Sequence, residues 1–213
     1  MVDIIENLLN EIVEEVINRV KKEAFIEVEA SGRHVHLSRE DVDKLFGKGY
    51  ELTKLKDLSQ PGQYACKERV TITGPKGSLR NVVVLGPCRA NTQVEISLTD
   101  GSSLGLKAPI KQSGDLEGTL GIKISTEYGE VELEKGLMVA KRHIHMKPCD
   151  AKKFDVCDNE VVQVKVMGQR PLIFDDVVVR VSESFETYMH IDYDEANACG
   201  YSKGTFAKII KKS

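Results

Sequence analysis

The sequence predicts a mainly β protein folded as closed barrels or sandwiches, with few and short helices. Three observations carry this: hydrophobicity alternates with period two from Ala24 onward, short apolar runs recur between turns rich in Gly and Pro, and sustained helical periodicity is confined to the amino terminus. At 213 residues the chain can form one large domain or two small ones, each with a real core.

Taken in order, the first segment places Ile4, Ile5, Leu8, Leu9, Ile12, Val13, Val16, Ile17 and Val20 on one stripe, with Lys21 and Lys22 at the end that the helix dipole favours. One amphipathic helix is expected over residues 1–22. Its stripe must dock on its own domain, on a second subunit, or on a larger assembly. Ile26, Val28 and Ala30 then alternate with Glu27 and Glu29, which describes a half-buried strand. Strands at 70–73 and 82–85 flank Gly74-Pro75-Lys76-Gly77-Ser78, while Val94, Ile96 and Leu98 run into Asp100-Gly101, and both connections read as hairpins. Strands around Gly129 and Gly136, and at 161–166, 172–182 and 205–211, complete roughly a dozen, a density that favours barrels or sandwiches over a parallel sheet.

The chain is 41% hydrophobic and 30% charged with formal net charge -3, the balance of a soluble globular protein and a poor match to nucleic acid. No apolar run approaches the roughly 18 residues of a membrane span. The first twenty residues are acidic and amphipathic where a signal peptide is basic and then apolar, so a cytoplasmic protein with no membrane partner is expected. Five cysteines, Cys66, Cys88, Cys149, Cys157 and Cys199, form no CxxC pair and are an odd number, which argues for free thiols in a reducing compartment.

The histidines carry the strongest signal. Five histidines spread at random would give roughly 0.1 pair spaced two apart. Two such pairs occur, His34-Val35-His36 and His143-Ile144-His145. On a strand, residues i and i+2 share a face, so two imidazoles can converge on one ion; on a helix they diverge by about 200°. A weak internal repeat connects them: His36, His145 and His190 are each followed by an apolar residue and, five positions on, by Asp41, Asp150 or Glu195. Ser38 with Asp41 and Asp192 with Glu195 have capping-box spacing, and Pro148 suits a first helical turn. Each module reads as a strand, a terminal histidine and a short helix.

Imidazole suits zinc and similar ions, and a structural zinc site closes with four protein ligands. Five histidines cannot fill two closed sites. With one or two carboxylates the count is two sites of about three protein ligands each, which leaves room for water or substrate. Glu95 lies between Val94 and Ile96 and faces away from the side that they bury, where it is either a solvated strand residue or a ligand. Arg89 reads either as a loop cation or as a fork for phosphate or carboxylate oxygens, and Ser113-Gly114 adds a hydroxyl and a turn rich in amides.

RHVHLS from Arg33, LGPCRANTQVE from Leu85, KQSGDLEG around Ser113, RHIHM from Arg142 and MHIDYDEANA from Met189 together resemble the PduL family of phosphotransacylases, the phosphate propanoyltransferases. The resemblance covers nearly all of the chain after Ala24. It implies an enzyme with two zinc ions per chain that exchanges an acyl group between coenzyme A and inorganic phosphate, taking acyl-CoA and acyl phosphate as substrates. It implies two small closed β-barrels of discontinuous sequence: 23–32 joined to 141–213 as one, and 33–140 as the other, with an excursion near 47–67. Carried over by motif, His34, His36 and Glu95 hold one zinc, His143, His145 and His190 hold the other, and Arg89 and Ser113 bind phosphate. A homodimer is expected. Members of the family often work inside bacterial microcompartments, so the amino-terminal helix is either an encapsulation signal or, as the missing linker favours, part of the fold or a subunit contact. Two rival readings remain: a zinc metallohydrolase acting on thioesters or acyl phosphates, and a metal-stabilised assembly protein without catalysis.

Overall fold

The computed structural model describes residues 12–16 and 25–210, and period-two patterning becomes β structure throughout the second stretch. Its strands are β1 Ile26–Ser31, β2 His34–Ser38, β3 Lys54–Asp57, β4 Tyr64–Thr73, β5 Ser78–Arg89, β6 Gln93–Glu95, β7 Ile110–Lys111, β8 Leu120–Ser125, β9 Glu130–Ala140, β10 His143–Met146, β11 Val161–Val166, β12 Leu172–Val181, β13 Tyr188–Asp192 and β14 Phe206–Ile210. Four short helices punctuate them: α1 Arg39–Phe46, α2 Leu98–Leu104, α3 Pro148–Phe154 and α4 Tyr193–Cys199.

Two closed barrels result. The first runs β1-β13-β10-β12-β11-β14 and closes where β14 pairs with β1. The second runs β4-β5-β2-β6-β9-β8 and closes where β8 pairs with β4, with β3 and β7 added at its flanks. Each has its own apolar interior. Ile144, Met146, Met189 and Ile191 belong to the first, and Val35, Leu37, Val94 and Ile96 to the second.

The two barrels share one wiring. β2 lies parallel to β5 and antiparallel to β6, as β10 lies parallel to β12 and antiparallel to β13. β6 is parallel to β9, as β13 is parallel to β1. A short helix follows each of β2, β6, β10 and β13. The repeat legible around three histidines therefore has a fourth member, which begins at Glu95.

That fourth member corrects one expectation. Asp100-Gly101 is not a hairpin turn but lies inside α2, because Ser97 and Asp100 form a full capping box that starts a helix there. Gly101 is buried, and an added Cβ would stand 2.9 Å from the Leu106 carbonyl oxygen. The expected caps do form elsewhere: the Ser38 side chain accepts from the Asp41 amide, Asp192 and Glu195 make a capping box, and Pro148 opens α3. Residues 12–16 are helical with Ile12, Val13 and Val16 exposed; the remainder of the helix expected over 1–22 lies outside the described residues. Among the described residues no helix is long and apolar enough to cross a membrane. All five cysteines are free.

Ile144 is fully buried between the two histidines of its doublet. Ile144→Ala is expected to cost about 2–5 kcal/mol of stability, read from the denaturant midpoint, because the barrel closes only partly around the lost volume.

Candidate active site

Strand alternation builds the site. Val35 and Leu37 enter one barrel's core, so His34 and His36 point outward; Ile144 and Met146 do the same for His143 and His145. The two outward faces meet in one cleft of about 790 Å³ between the barrels, and both doublets line it.

Register supplies the third donors. Glu95 on β6 lies directly opposite His34, and His190 on β13 directly opposite His143. The result is two groups, His34–His36–Glu95 and His143–His145–His190, within each of which the donor atoms lie within 4.8 Å of one another. Glu95 is buried and accepts hydrogen bonds from Ser113 and Gln93, which excludes the solvated-strand reading.

The ring nitrogens suit a cation. His34 and His143 each donate Nδ1–H to a backbone carbonyl, of Gly32 and Lys141, at 2.8 Å, which leaves Nε2 as the basic nitrogen. Nδ1 of His36 and of His145 is buried with no hydrogen-bond partner. Burial first, then the neighbouring imidazole and a nearby arginine, push His36 well below its usual value and His145 down to about 3. His190 is lowered in the same way, by burial and then by His143 and His145. Burial acts to raise Glu95, yet His34, the Ser113 hydroxyl, His143 and Arg89 together hold it below the ordinary carboxylate range. The neutral imidazoles of His36, His145 and His190, the ionised Glu95 carboxylate and the partnerless Nδ1 atoms belong to donor sets that fit zinc, three protein ligands to a site.

Paired clamps hold the strand ends. Arg33 grips Asp100 with two contacts of 2.8 and 3.0 Å, and Arg142 grips Glu195 at 2.5 Å, each tying the residue before a doublet to the helix after its third donor. On the cleft wall, Arg89 donates to the Ser113 hydroxyl at 3.3 Å and Ser113 donates to Glu95 Oε1 at 2.7 Å. All eight residues singled out from the sequence thus line one cleft.

Sequence reasoning missed others. Gln93 donates to Ser113 at 2.9 Å and accepts from the Gly114 amide at 2.8 Å, so it holds the Ser113 turn against Glu95. Its i, i+2 spacing from Glu95 is the signal that marked the histidines. Arg180 and Phe185 also line the cleft; Arg180 lies opposite His145 in the β10–β12 register, and Phe185 packs on the His145 ring at 4.1 Å. No local pattern gives either.

A duplicated double barrel whose halves enclose a cleft lined by two three-donor groups has the layout of an enzyme pocket. The model of the phosphate propanoyltransferase family matches residues 27–202, from β1 through α4. Proteins named phosphate propanoyltransferase are similar over nearly their full lengths. One from Clostridioides difficile is 88% identical over 208 residues, 98% of this chain and 100% of that protein. One from Listeria monocytogenes is 63% identical over 206 residues, 97% of each, and one from Thermotoga maritima is 55% identical over 200 residues, 93% of this chain and 95% of that protein. The chain belongs to the phosphate propanoyltransferase family, and it is an acyltransferase.

The imidazole shifts set a pH dependence for the metal-free protein. Below pH 6.5 the unfolded chain protonates an imidazole that the folded chain keeps neutral at His145 until about pH 3. That stabilising contribution is complete above pH 6.5 and is lost as pH falls toward 3. Denaturation of chelator-treated protein is expected to show stability falling between pH 6.5 and 5, more steeply than one histidine's roughly 1.4 kcal/mol per pH unit because His36 and His190 shift the same way; a flat profile contradicts it.

Proposed function

We propose that the chain interconverts propanoyl-CoA or acetyl-CoA plus phosphate with acyl phosphate plus coenzyme A, by direct transfer at two zinc sites. The observation that supports it is the convergence of two three-donor groups and the Arg89–Ser113 pair on one cleft. His34, His36 and Glu95 hold one ion, and His143, His145 and His190 the other. Zinc with an open position supplies positive charge for a carbonyl oxygen or a thiolate.

The chain's own groups do the placing. The Arg89 guanidinium forks onto two phosphate oxygens and the Ser113 hydroxyl contacts a third. Gln93 keeps the Ser113 oxygen in place, and the hydroxyl proton that Glu95 accepts in the free protein turns to the phosphate oxygen when substrate binds. A phosphate oxygen then forms a bond to the thioester carbonyl carbon, the carbon–sulfur bond breaks and coenzyme A departs as thiolate. In reverse, the thiolate attacks the acyl phosphate carbonyl and phosphate departs. No enzyme nucleophile is needed, and among the described residues no cysteine lines the cleft.

Turnover of acyl-CoA with and without phosphate tests the reading, with metal content measured on the same sample. Coenzyme A release is expected to require phosphate, and a single turnover without phosphate is expected to leave no acyl-enzyme. Release to water alone would make the protein a hydrolase, and a stoichiometric acyl-enzyme would exclude direct transfer. Arg89→Ala is expected to lower kcat/KM for phosphate by about 10²–10³-fold with metal content retained. Chelation is expected to abolish turnover while the barrels stay folded by circular dichroism; unfolding instead would favour a structural metal.

A further inference from the structure

The shared wiring of the barrels exposes one position where the halves differ. Beside each third donor lies a residue of the parallel neighbouring strand: Met138 of β9 beside Glu95, and Glu29 of β1 beside His190. Where the third donor is a carboxylate its neighbour is apolar; where it is an imidazole its neighbour is a carboxylate. Each half therefore keeps one acidic group, one residue further out in the three-histidine half.

Glu29 is not free to wander. Its Oε2 lies 3.7 Å from His190 Nδ1 and accepts a 2.5 Å hydrogen bond from the Ser59 hydroxyl. Ser59 comes from the other barrel, on the segment 47–63 between α1 and β4; the first barrel has only residues 155–160 in the corresponding place, between α3 and β11. The next residue, Gln60, is 4% exposed and docks on the same neighbourhood. Its Nε2 donates to the Glu186 carbonyl at 3.0 Å and stands 3.5 Å from His190 Nε2, and its Oε1 accepts from the Glu186 amide at 3.3 Å.

A metal-bound imidazole commonly donates its second ring N–H to a carbonyl or carboxylate, which fixes the tautomer and raises the basicity of the bound nitrogen. His34 and His143 have backbone carbonyls in that role. For His190 the group facing Nδ1 is Glu29, at 3.7 Å an electrostatic contact rather than a formed hydrogen bond.

Resting on the two-metal reading above, we propose that Glu29, oriented by Ser59, is a positioning residue that keeps the His190 proton on Nδ1 and Nε2 free to bind the ion. The 47–63 segment thereby makes the two sites unequal. The three-histidine site depends on a contact between barrels, and the His34–His36–Glu95 site does not.

Zinc affinities of the full chain, measured by competition with a chromophoric chelator, test this. The unaltered protein is expected to bind two ions. Glu29→Gln is expected to weaken one site by about 10–100-fold and leave the other within about twofold; Ser59→Ala is expected to act on the same site to a smaller extent, and Glu29→Asp to recover part of the loss. Histidine ¹⁵N spectra of the zinc-loaded protein are expected to show His190 protonated at Nδ1, and to lose that signature in Glu29→Gln. Two sites of unchanged affinity in both Glu29→Gln and Ser59→Ala overturn the proposal alone. Absence of zinc uptake by the unaltered protein overturns the two-metal reading beneath it.

Discussion

Strand register is the constraint on which the cleft depends. A slip of β6 by one residue against β2 would turn Glu95 into the core and Val94 into the cleft, and the same slip of β13 would exchange His190 for an apolar neighbour. Such slips are opposed twice over. The intervening residues Val35, Leu37, Ile144 and Met189 are completely buried, and the Arg33–Asp100 and Arg142–Glu195 clamps tie the turn before each doublet to the helix after the third donor. The chemistry sits at strand ends, while the energy that holds it there comes from the barrel interiors.

Those interiors also set the electrical character of the cleft. Burial disfavours imidazolium, so His36, His145 and His190 stay neutral, and Glu95 remains ionised only because basic groups and the Ser113 hydroxyl surround it. Two ring nitrogens without partners are each an uncompensated loss of about 1–3 kcal/mol. Donor groups arranged in this way are better suited to a cation than to one another, and Arg89 stands beside them as a half-buried positive group on the cleft wall.

Local geometry explains what the sequence made legible. His-x-His on an alternating strand needs only the period of two to show that both rings share a face, and the capping boxes at Ser38 and Asp192 are equally local. Glu95 is ambiguous in the sequence because a carboxylate stands where its three counterparts have histidine, and Asp100-Gly101 has the composition of a turn although Ser97, three residues before Asp100, supplies the helix cap. The closed barrels followed from a family resemblance, since the pairing of β1 with β13 and β14 joins opposite ends of the chain and leaves no local trace. Glu29, Gln60 and Arg180 were hidden for the same reason: each reaches the cleft only once strands or barrels are packed together.

Anomalous diffraction at the zinc edge, from crystals of the zinc-loaded protein, tests the central claim most directly. The account predicts two peaks per chain, each about 2.0–2.1 Å from imidazole nitrogens of a different donor group and each with a coordination position open to the shared cleft. Peaks absent from both groups, or ions enclosed by four protein ligands, would contradict it.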